Sequence, residues 1–264
     1  TAVDGTNITE LNLTTVGTNK GVTIGQALTN LTKVNILGDG SIELTNAAGN
    51  ITYDASQNKG GVTIAVTAAG NIPSKFIGSA GIDTLKTNQN YTPLLDTRLQ
   101  NVEKIILVGT TDADLSSQTE GFTIIGSDNV NTITGSQGAD TIDAGKGNDT
   151  IRGGAGADII TGGAGNDIII FDDFRKADSI TDFKAADDDL YIDWVNDTKL
   201  PNYLLNKTAF SIIGGKIMVK AVTQNAGITT KTLASGTNLT KITKLTTATA
   251  IGLGTKGVPL VSAK

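Results

Sequence analysis

Isoleucine recurs every nine residues in the middle of the chain, at Ile142, Ile151, Ile160 and Ile169. Each lies in a three-residue segment with one inward-facing branched side chain, which is typical of a short β-strand. The six residues before each segment are rich in glycine and end in aspartate, which predicts a turn. Two turns and two strands make one coil. Stacked coils would form two parallel sheets around a thin isoleucine core, with loop n against loop n+2 along each edge.

The periodicity comes from four nine-residue units in unbroken register, which occupy residues 135–170. Position 4 of every unit is glycine and position 6 is aspartate. The glycines are Gly138, Gly147, Gly156 and Gly165, and the aspartates are Asp140, Asp149, Asp158 and Asp167. One isolated turn of this kind would be an ordinary β-turn without a metal, but four copies in register favour a metal site.

The stacking decides the chemistry of these turns. Two stacked loops bring together two carboxylates and several backbone carbonyls, which would repel each other or lack partners without a cation. A hard divalent ion with about 6–8 oxygen ligands satisfies both needs, and Ca²⁺ suits carbonyls on flexible glycine better than Mg²⁺. Zinc fits these turns poorly, because the chain has no histidine and no cysteine.

The units resemble the G-G-x-G-x-D-x-U-x repeat of the RTX family. The resemblance implies an all-β fold: a parallel β-roll of right-handed coils of two nonapeptides, flanked by β-helix-like or sandwich-like all-β segments. It also implies several Ca²⁺ ions. Each is held by positions 2, 4 and 6 of one loop and positions 1, 3 and 6 of loop n+2, through carbonyls except at aspartate.

Carried onto this chain, the family scheme gives three ligand sets. The first is Gly145, Gly147 and Asp149 with Gly162, Ala164 and Asp167. The second is Ser136, Gly138 and Asp140 with Gly153, Ala155 and Asp158. The third is Ser127, Asn129 and Asn131 with Ala144, Lys146 and Asp149. The third set is expected to be weaker, because asparagine at position 6 removes one charge.

The last loops need a partner beyond the repeats. Gly154, Gly156 and Asp158 lack a second loop, and Gly163 and Gly165 also belong to the candidate metal residues. Residues 178–183 resemble the D-x-I-x-D-F closure that follows RTX rolls. We therefore expect Asp178 to complete this site, with Asp173 as the alternative.

Residues 1–99 are predicted to form a Thr- and Asn-rich all-β domain, because short alternating strands are punctuated by Gly, Asn and Asp. The segments TNLTKVNILGDGSIELT and ITYDASQNKGGVTIAV resemble bacterial S-layer and RTX surface proteins. Residues 78–86 form a lone fifth copy of the repeat. Its aspartate, Asp83, either binds Ca²⁺ or only turns the chain.

Residues 100–197 are predicted to form the roll, with a degenerate start and an acidic cap. Counting back by nine from Ile142 gives Ile133, Ile124, Leu115 and Ile106, so we expect calcium-poor coils upstream. The segment AADDDLYIDW resembles the family's cap. Residues 187–189 are either a further calcium position or, as we favour, a solvated acidic turn that blocks the open end.

Residues 198–264 contain nine lysines and no acidic residue, although the whole chain has a net charge of −5. We predict a basic all-β region that serves as a secretion signal or an assembly region. Its lysines would face lipopolysaccharide, another anionic surface polymer or the acidic roll of a neighbouring molecule, or they would only protect edge strands.

The absence of histidine and cysteine excludes His-dependent triads, cysteine nucleophiles and zinc protease sites in this sequence, and we expect no enzyme. We favour an extracellular structural protein of the bacterial cell surface, an S-layer subunit. Ca²⁺ would drive its folding and its self-assembly into a two-dimensional lattice or homo-oligomer after type I secretion. The alternative is a calcium-folding and secretion module, or an adhesin fragment, of a larger exported toxin or enzyme.

We expect neither a nucleic-acid partner nor a membrane span, because no apolar run reaches the roughly 18 residues that a spanning helix requires. The chain begins with Thr1 and lacks a charged-then-apolar leader. We therefore expect a processed form or a piece of a longer protein.

Overall fold

The computed structural model describes most of the chain up to residue 193 and four short segments after it. The described residues are 7–24, 28–45, 50–66, 72–93, 96–171, 176, 178–184, 187–193, 210–213, 216–223, 227–236 and 257–261. The predicted ligand Asp173 lies outside them.

Short β-strands make up almost all of the regular structure of the described residues, in which one 3-10 turn occupies Asp96–Arg98. In chain order the strands are β1 (Glu10–Thr15), β2 (Thr18–Thr23), β3 (Lys33–Gly38), β4 (Ser41–Thr45), β5 (Thr52–Asn58), β6 (Val62–Val66), β7 (Lys75–Ile77), β8 (Thr84–Thr87), β9 (Leu99–Gln100), β10 (Lys104–Leu107), β11 (Ala113–Asp114), β12 (Thr123–Ser127), β13 (Thr132–Thr134), β14 (Thr141–Gly145), β15 (Thr150–Arg152), β16 (Ile159–Thr161), β17 (Ile168–Phe171), β18 (Asp178–Ile180), β19 (Asp189–Asp193), β20 (Phe210–Ile213), β21 (Lys216–Thr223), β22 (Gly227–Gly236) and β23 (Gly257–Val261).

The chain alternates between two faces of one stack, and up to β17 each strand except β9 pairs in parallel with the strand two places later. The even strands β2 to β18 form one continuous sheet, which β22, β21 and β20 extend. The odd strands form a sheet of β1 to β9 and a second sheet of β11 to β19, which ends on the antiparallel strand β23. This parallel solenoid confirms the predicted all-β fold and agrees with a β-roll.

Aliphatic side chains stack into two ladders at the centre of the roll. Ile124, Ile142 and Ile160 are register partners on the even face. On the odd face, the partners are Ile133, Ile151 and Ile169. All six are buried. Alternation along a strand explains this arrangement, because a strand of three residues can direct only its middle side chain inward.

The prediction by counting back in nines holds at Ile133 and Ile124 but is wrong further upstream. The buried partner of Ile124 is Ile105, whereas Ile106 is only half-buried. The partner of Ile133 is Ala113, and Leu115 is buried beyond the end of its strand. The physical reason is coil length, since these upstream coils contain one or two residues more than a pair of nonapeptides.

Strand pairing continues across residue 100, where we placed the end of the first domain. Strand β9 itself spans that position, and β8 pairs in parallel with β10. The lone copy around Asp83 lies in the same stack, between β7 and β8. The roll and the segment before it therefore share one continuous even-face sheet.

The ladder predicts very different costs for two neighbouring residues of β16. Ile160 is fully buried, whereas Ile159 is 46% exposed. Ile160→Ala should lower the free energy of unfolding by about 2–5 kcal/mol, because it leaves a cavity in the thin core. Ile159→Ala should change it by only about 0.5 kcal/mol. Denaturant unfolding at a fixed Ca²⁺ concentration measures both, and equal losses would contradict the ladder.

Candidate metal centre

The position-6 side chains stack along the two edges of the roll. On one edge, Asp140 N donates to Asp158 Oδ1 at 2.8 Å, and Asp158 N donates to Asp178 Oδ1 at 3.1 Å. On the other edge, Asp149 N donates to Asp167 Oδ1 at 3.0 Å. Each carboxylate is thus held by the amide of the corresponding residue one coil earlier. These two rows of side chains are the carboxylate ladders.

The ladder of Asp149 and Asp167 buries negative charge, and the charge of Lys184 offsets it only in part, because the pKa of Asp167 stays raised. Asp149 and Asp167 are 0% and 2% exposed, and the Oδ2 atom of each has no hydrogen-bond partner. The ion pairs Lys33–Asp54, Lys59–Asp39 and Lys146–Asp128 involve no ladder carboxylate. A buried carboxylate without a compensating partner is costly, so this arrangement needs a positive charge.

Burial raises the pKa of the ladder carboxyls. It raises the pKa of both Asp140 and Asp149 to about 6. The charge of Asp167 adds to the rise of the Asp149 pKa, although the Asn131 amide opposes it. Burial also raises the pKa of Asp167 and of Asp188. The largest cause of each shift is the removal of the carboxylate from water, and the charges of neighbouring carboxylates add to it for Asp149, Asp167 and Asp188.

Backbone carbonyls complete the oxygen-rich surface between stacked loops. A Cβ built on Gly163 would overlap the carbonyl oxygen of Gly145, and one on Gly165 would overlap that of Gly147. Positions 2 and 4 of loop 144–149 therefore direct their carbonyls at loop 162–167. The close approach and the positive φ of Gly163 (100°) and Gly165 (141°) both require glycine there.

The structure brings together the two loops of each predicted ligand set. In the first set, Gly147 N donates to Ala164 O at 2.8 Å. The second set meets through Ala155 N and Ser136 O at 3.0 Å. The third set meets where Asn131 N donates to Asp149 Oδ1 at 2.7 Å.

The remaining candidate residues lie in the same stacked loops. Gly138 stacks against Gly156, Asn129 against Gly147, and Gly154 against Ser136. Gly153 and Gly162 lie against the carboxylates of Asp158 and Asp167. Ala144 is buried, whereas Lys146 contacts loop 126–131 through its ammonium, which lies 2.6 Å from Asp128, and through its amide, which donates to Ser127 O at 2.8 Å.

The acidic cap contains two buried carboxylates, those of Asp178 and Asp188. Asp178 is buried and continues the first ladder, as expected. Our preference for a solvated turn at 187–189 is wrong for Asp188, which is buried and accepts from Asp167 N at 3.1 Å and Lys184 N at 2.7 Å. Asp188 is the next member of the second ladder. The nine-residue period does not predict Asp188, because the last coil is longer than a pair of nonapeptides.

Sequence analysis also missed Asp182 and Glu103. Asp182 accepts from Gly162 N at 2.9 Å and Gly163 N at 2.7 Å and so covers the last loop. Asp83 is fully buried, and its amide donates to Glu103 Oε2 at 2.8 Å. A glutamate therefore takes the place that the next aspartate takes in the roll. The D-x-I-x-D-F motif contains Asp182 at its fifth position, although we assigned it no ligand role, whereas no spacing signal marks Glu103.

The donor set suits calcium. In the described residues no three carboxylates converge on one point, so carbonyl oxygens must supply most of the ligands. Ca²⁺ accepts such mixed oxygen coordination in flexible geometry, and it would neutralise the unpartnered Oδ2 atoms of Asp149 and Asp167.

The raised carboxyl pKa values predict opposite pH dependence with and without Ca²⁺. A carboxyl whose pKa is raised on folding from 3.8 to about 6 holds its proton more tightly in the folded state. Without metal, stability should therefore be highest below the unfolded pKa and should fall as pH rises towards about 6. With Ca²⁺, stability should instead fall as pH drops below about 6, because protonation releases the metal.

Thermal unfolding measures both slopes between about pH 4 and about pH 7, with calcium-free buffer made by resin treatment rather than by a pH-sensitive chelator. Slopes of the same sign under both conditions would contradict buried, metal-binding carboxylates.

Comparison with known proteins supports the metal assignment. The family model described as RTX calcium-binding nonapeptide repeat (4 copies) matches residues 125–160 and 145–174. No curated protein matches the chain. RTX repeats occur generally in secreted proteins, which supports an extracellular location. The matched residues contain Asp140, Asp149, Asp158 and Asp167 together with their glycine turns. The chain therefore carries the calcium-binding nonapeptide repeats of the RTX family, and binds Ca²⁺ through several of them.

Proposed function

We propose that this protein is a structural component of the bacterial cell surface, an S-layer subunit that Ca²⁺ folds and assembles after type I secretion. The buried, unpartnered Oδ2 atoms of Asp149 and Asp167 carry the proposal. Above the raised pKa of these carboxyls a bound cation would relieve the charge that they bury, so metal-binding free energy becomes folding free energy. Extracellular modules bind Ca²⁺ at about 10⁻⁴–10⁻³ M, so the roll would stay loose in the cell and fold outside.

The architecture before the repeats favours a scaffold rather than a catalytic domain. Within the described residues, strands β1 to β13 use the same strand-and-turn coils as the repeats. The chain offers no histidine or cysteine for catalysis. The described residues contain no helix that is long and apolar enough to span a membrane. A stiff, non-catalytic stack suits a lattice subunit.

Self-association is the proposed partnership. Strands β1 and β2 are the terminal strands of their sheets. An exposed edge offers unpaired amides and carbonyls to a second chain. The lysines of residues 198–264 complement the acidic roll of a neighbouring copy or an anionic polymer such as lipopolysaccharide. Ca²⁺ would then govern assembly by governing the fold of the roll.

The second candidate is a calcium-folding and secretion module, or an adhesin fragment, of a larger exported toxin or enzyme. The observation in its favour is that the family match covers only residues 125–174. Both candidates require calcium-dependent folding, but only the first requires an ordered assembly.

Removal of one ladder charge should weaken the response to calcium. At 1 mM Ca²⁺, which is about 1–10 times the expected dissociation constant, each site should stabilise the fold by about 0.4–1.4 kcal/mol. Asp167→Asn should remove much of one such increment, whereas Asp143→Asn, at an exposed position of β14, is the matched control. Calorimetric melting with and without millimolar Ca²⁺ measures both. An unchanged calcium-induced shift in Asp167→Asn would argue against the ladder as the metal site.

Electron microscopy separates the two candidate functions. For an S-layer subunit, purified protein should form ordered two-dimensional sheets with millimolar Ca²⁺ and should lose them in chelator. Monomers under both conditions would contradict the lattice and favour the module. The same samples should be checked by circular dichroism, so that failure to fold is not mistaken for failure to assemble.

A further inference from the structure

Two backbone conformations occur among loops that look alike in sequence. In loops 144–149, 153–158 and 162–167, positions 2 and 4 are glycines with φ between 91° and 150°. In loops 78–83, 126–131 and 135–140, position 2 is serine, and none of the residues at positions 2 and 4 has positive φ. We call the first group glycine loops and the second group serine loops.

The serine of each serine loop binds the position-6 side chain of its own loop. Ser136 N donates to Asp140 Oδ2 at 2.7 Å, and the Ser136 hydroxyl lies 3.0 Å from the same oxygen. Loop 78–83 repeats the pattern, with Ser79 N 2.6 Å from Asp83 Oδ2. Loop 126–131 repeats it with an amide, since Ser127 N donates to the oxygen of Asn131 at 2.9 Å.

The serine hydroxyl also closes the turn. It accepts the position-4 amide in all three serine loops, at 3.0 Å each time: from Gly81 to Ser79, from Asn129 to Ser127 and from Gly138 to Ser136. The position-6 side chain is therefore satisfied by donors from its own loop. In Asp140, the Ser136 amide and hydroxyl together with Phe122 N supply hydrogens to most of the carboxylate lone pairs, which leaves little for a cation.

The glycine loops have no side-chain hydrogen-bond donor at position 2. Gly145 and Gly163 have no hydroxyl, and their positive φ belongs to a different turn. The Oδ2 atoms of Asp149 and Asp167 are buried without a hydrogen-bond partner. Calcium can supply what the serine supplies elsewhere, because it satisfies the same oxygen from outside the chain.

We propose that the serine loops are calcium-independent substitutes for metal sites, and that Ca²⁺ binds the glycine loops. The inference rests on the calcium-dependent folding proposed above, and it removes Ser136, Gly138 and Asp140 from the expected ligands. Its consequence is an order of folding. The coils up to residue 140 form a platform without metal, and the coils after it add to that platform when Ca²⁺ binds.

Matched substitutions in the full-length chain test the assignment. Asp140→Asn and Asp167→Asn make the same change at the same repeat position in a serine loop and a glycine loop. Isothermal titration with Ca²⁺ should find an unchanged number of sites for Asp140→Asn. Asp167→Asn should lose a site or bind it at least about tenfold more weakly. Equal losses of calcium in both variants would overturn the proposal.

A gain of function provides a second test. Ser136→Gly converts G-S-Q-G-A-D into the full G-G-x-G-x-D pattern. This variant should unfold more easily without metal and bind additional Ca²⁺. Ser136→Ala should also unfold more easily without metal but gain no Ca²⁺, because alanine keeps the backbone away from positive φ. No added calcium in Ser136→Gly would contradict the proposal.

The platform itself can be observed by hydrogen exchange of the wild-type protein in chelator. Amides of β12 and β13, which lie before residue 140, should stay protected, whereas those of β15 to β17 should exchange quickly until Ca²⁺ is added. Uniform protection along the roll would overturn the proposed order. If the wild-type protein binds no Ca²⁺ at all, the proposed function fails. If it binds but the Asp140 and Asp167 variants behave alike, only this inference fails.

Discussion

The contact between stacked position-6 side chains is the constraint on which the roll depends. One amide N–H holds each carboxylate against the next coil, as Asp149 N holds Asp167 Oδ1. The same bond that sets the coil in register also places like charges one above another in a buried row. The fold therefore creates its own requirement for a cation, and calcium binding and coil stacking become a single event.

The core cannot compensate for this charge by hydrophobic burial. Each repeat strand contributes one central isoleucine, such as Ile151, and aromatic residues make up only 4% of the chain. Small apolar cores usually need disulfides or metals to stabilise them. Since the chain has no cysteine, calcium in the glycine loops takes that part. Where serine replaces glycine, the hydrogen bonds of the serine hydroxyl stabilise the loop in place of calcium.

The sequence predicted the architecture wherever the coil length stayed constant. Between Ile124 and Ile169 the nine-residue period placed each isoleucine of the two core ladders on its correct face and each repeat aspartate on its correct edge. It failed at Ile106 and missed Asp188, because coils with added residues break the count although the stacking continues. The nine-residue period also assigned Asp140 and Asp149 the same role, that of calcium ligands. Serine in place of glycine at position 2 changes the backbone φ and the hydrogen bonds of the loop. The nine-residue motif alone does not reveal that difference.

The most direct test of the account is a crystal structure of the calcium-loaded protein, with ions identified by their anomalous scattering. An ion should lie between loops 144–149 and 162–167, with carboxylate oxygens of Asp149 and Asp167 among ligands at about 2.3–2.6 Å. Its other ligands should be backbone carbonyls. If these two loops hold no ion at millimolar Ca²⁺ while the roll remains folded, calcium is not what relieves the buried ladder, and the account is wrong.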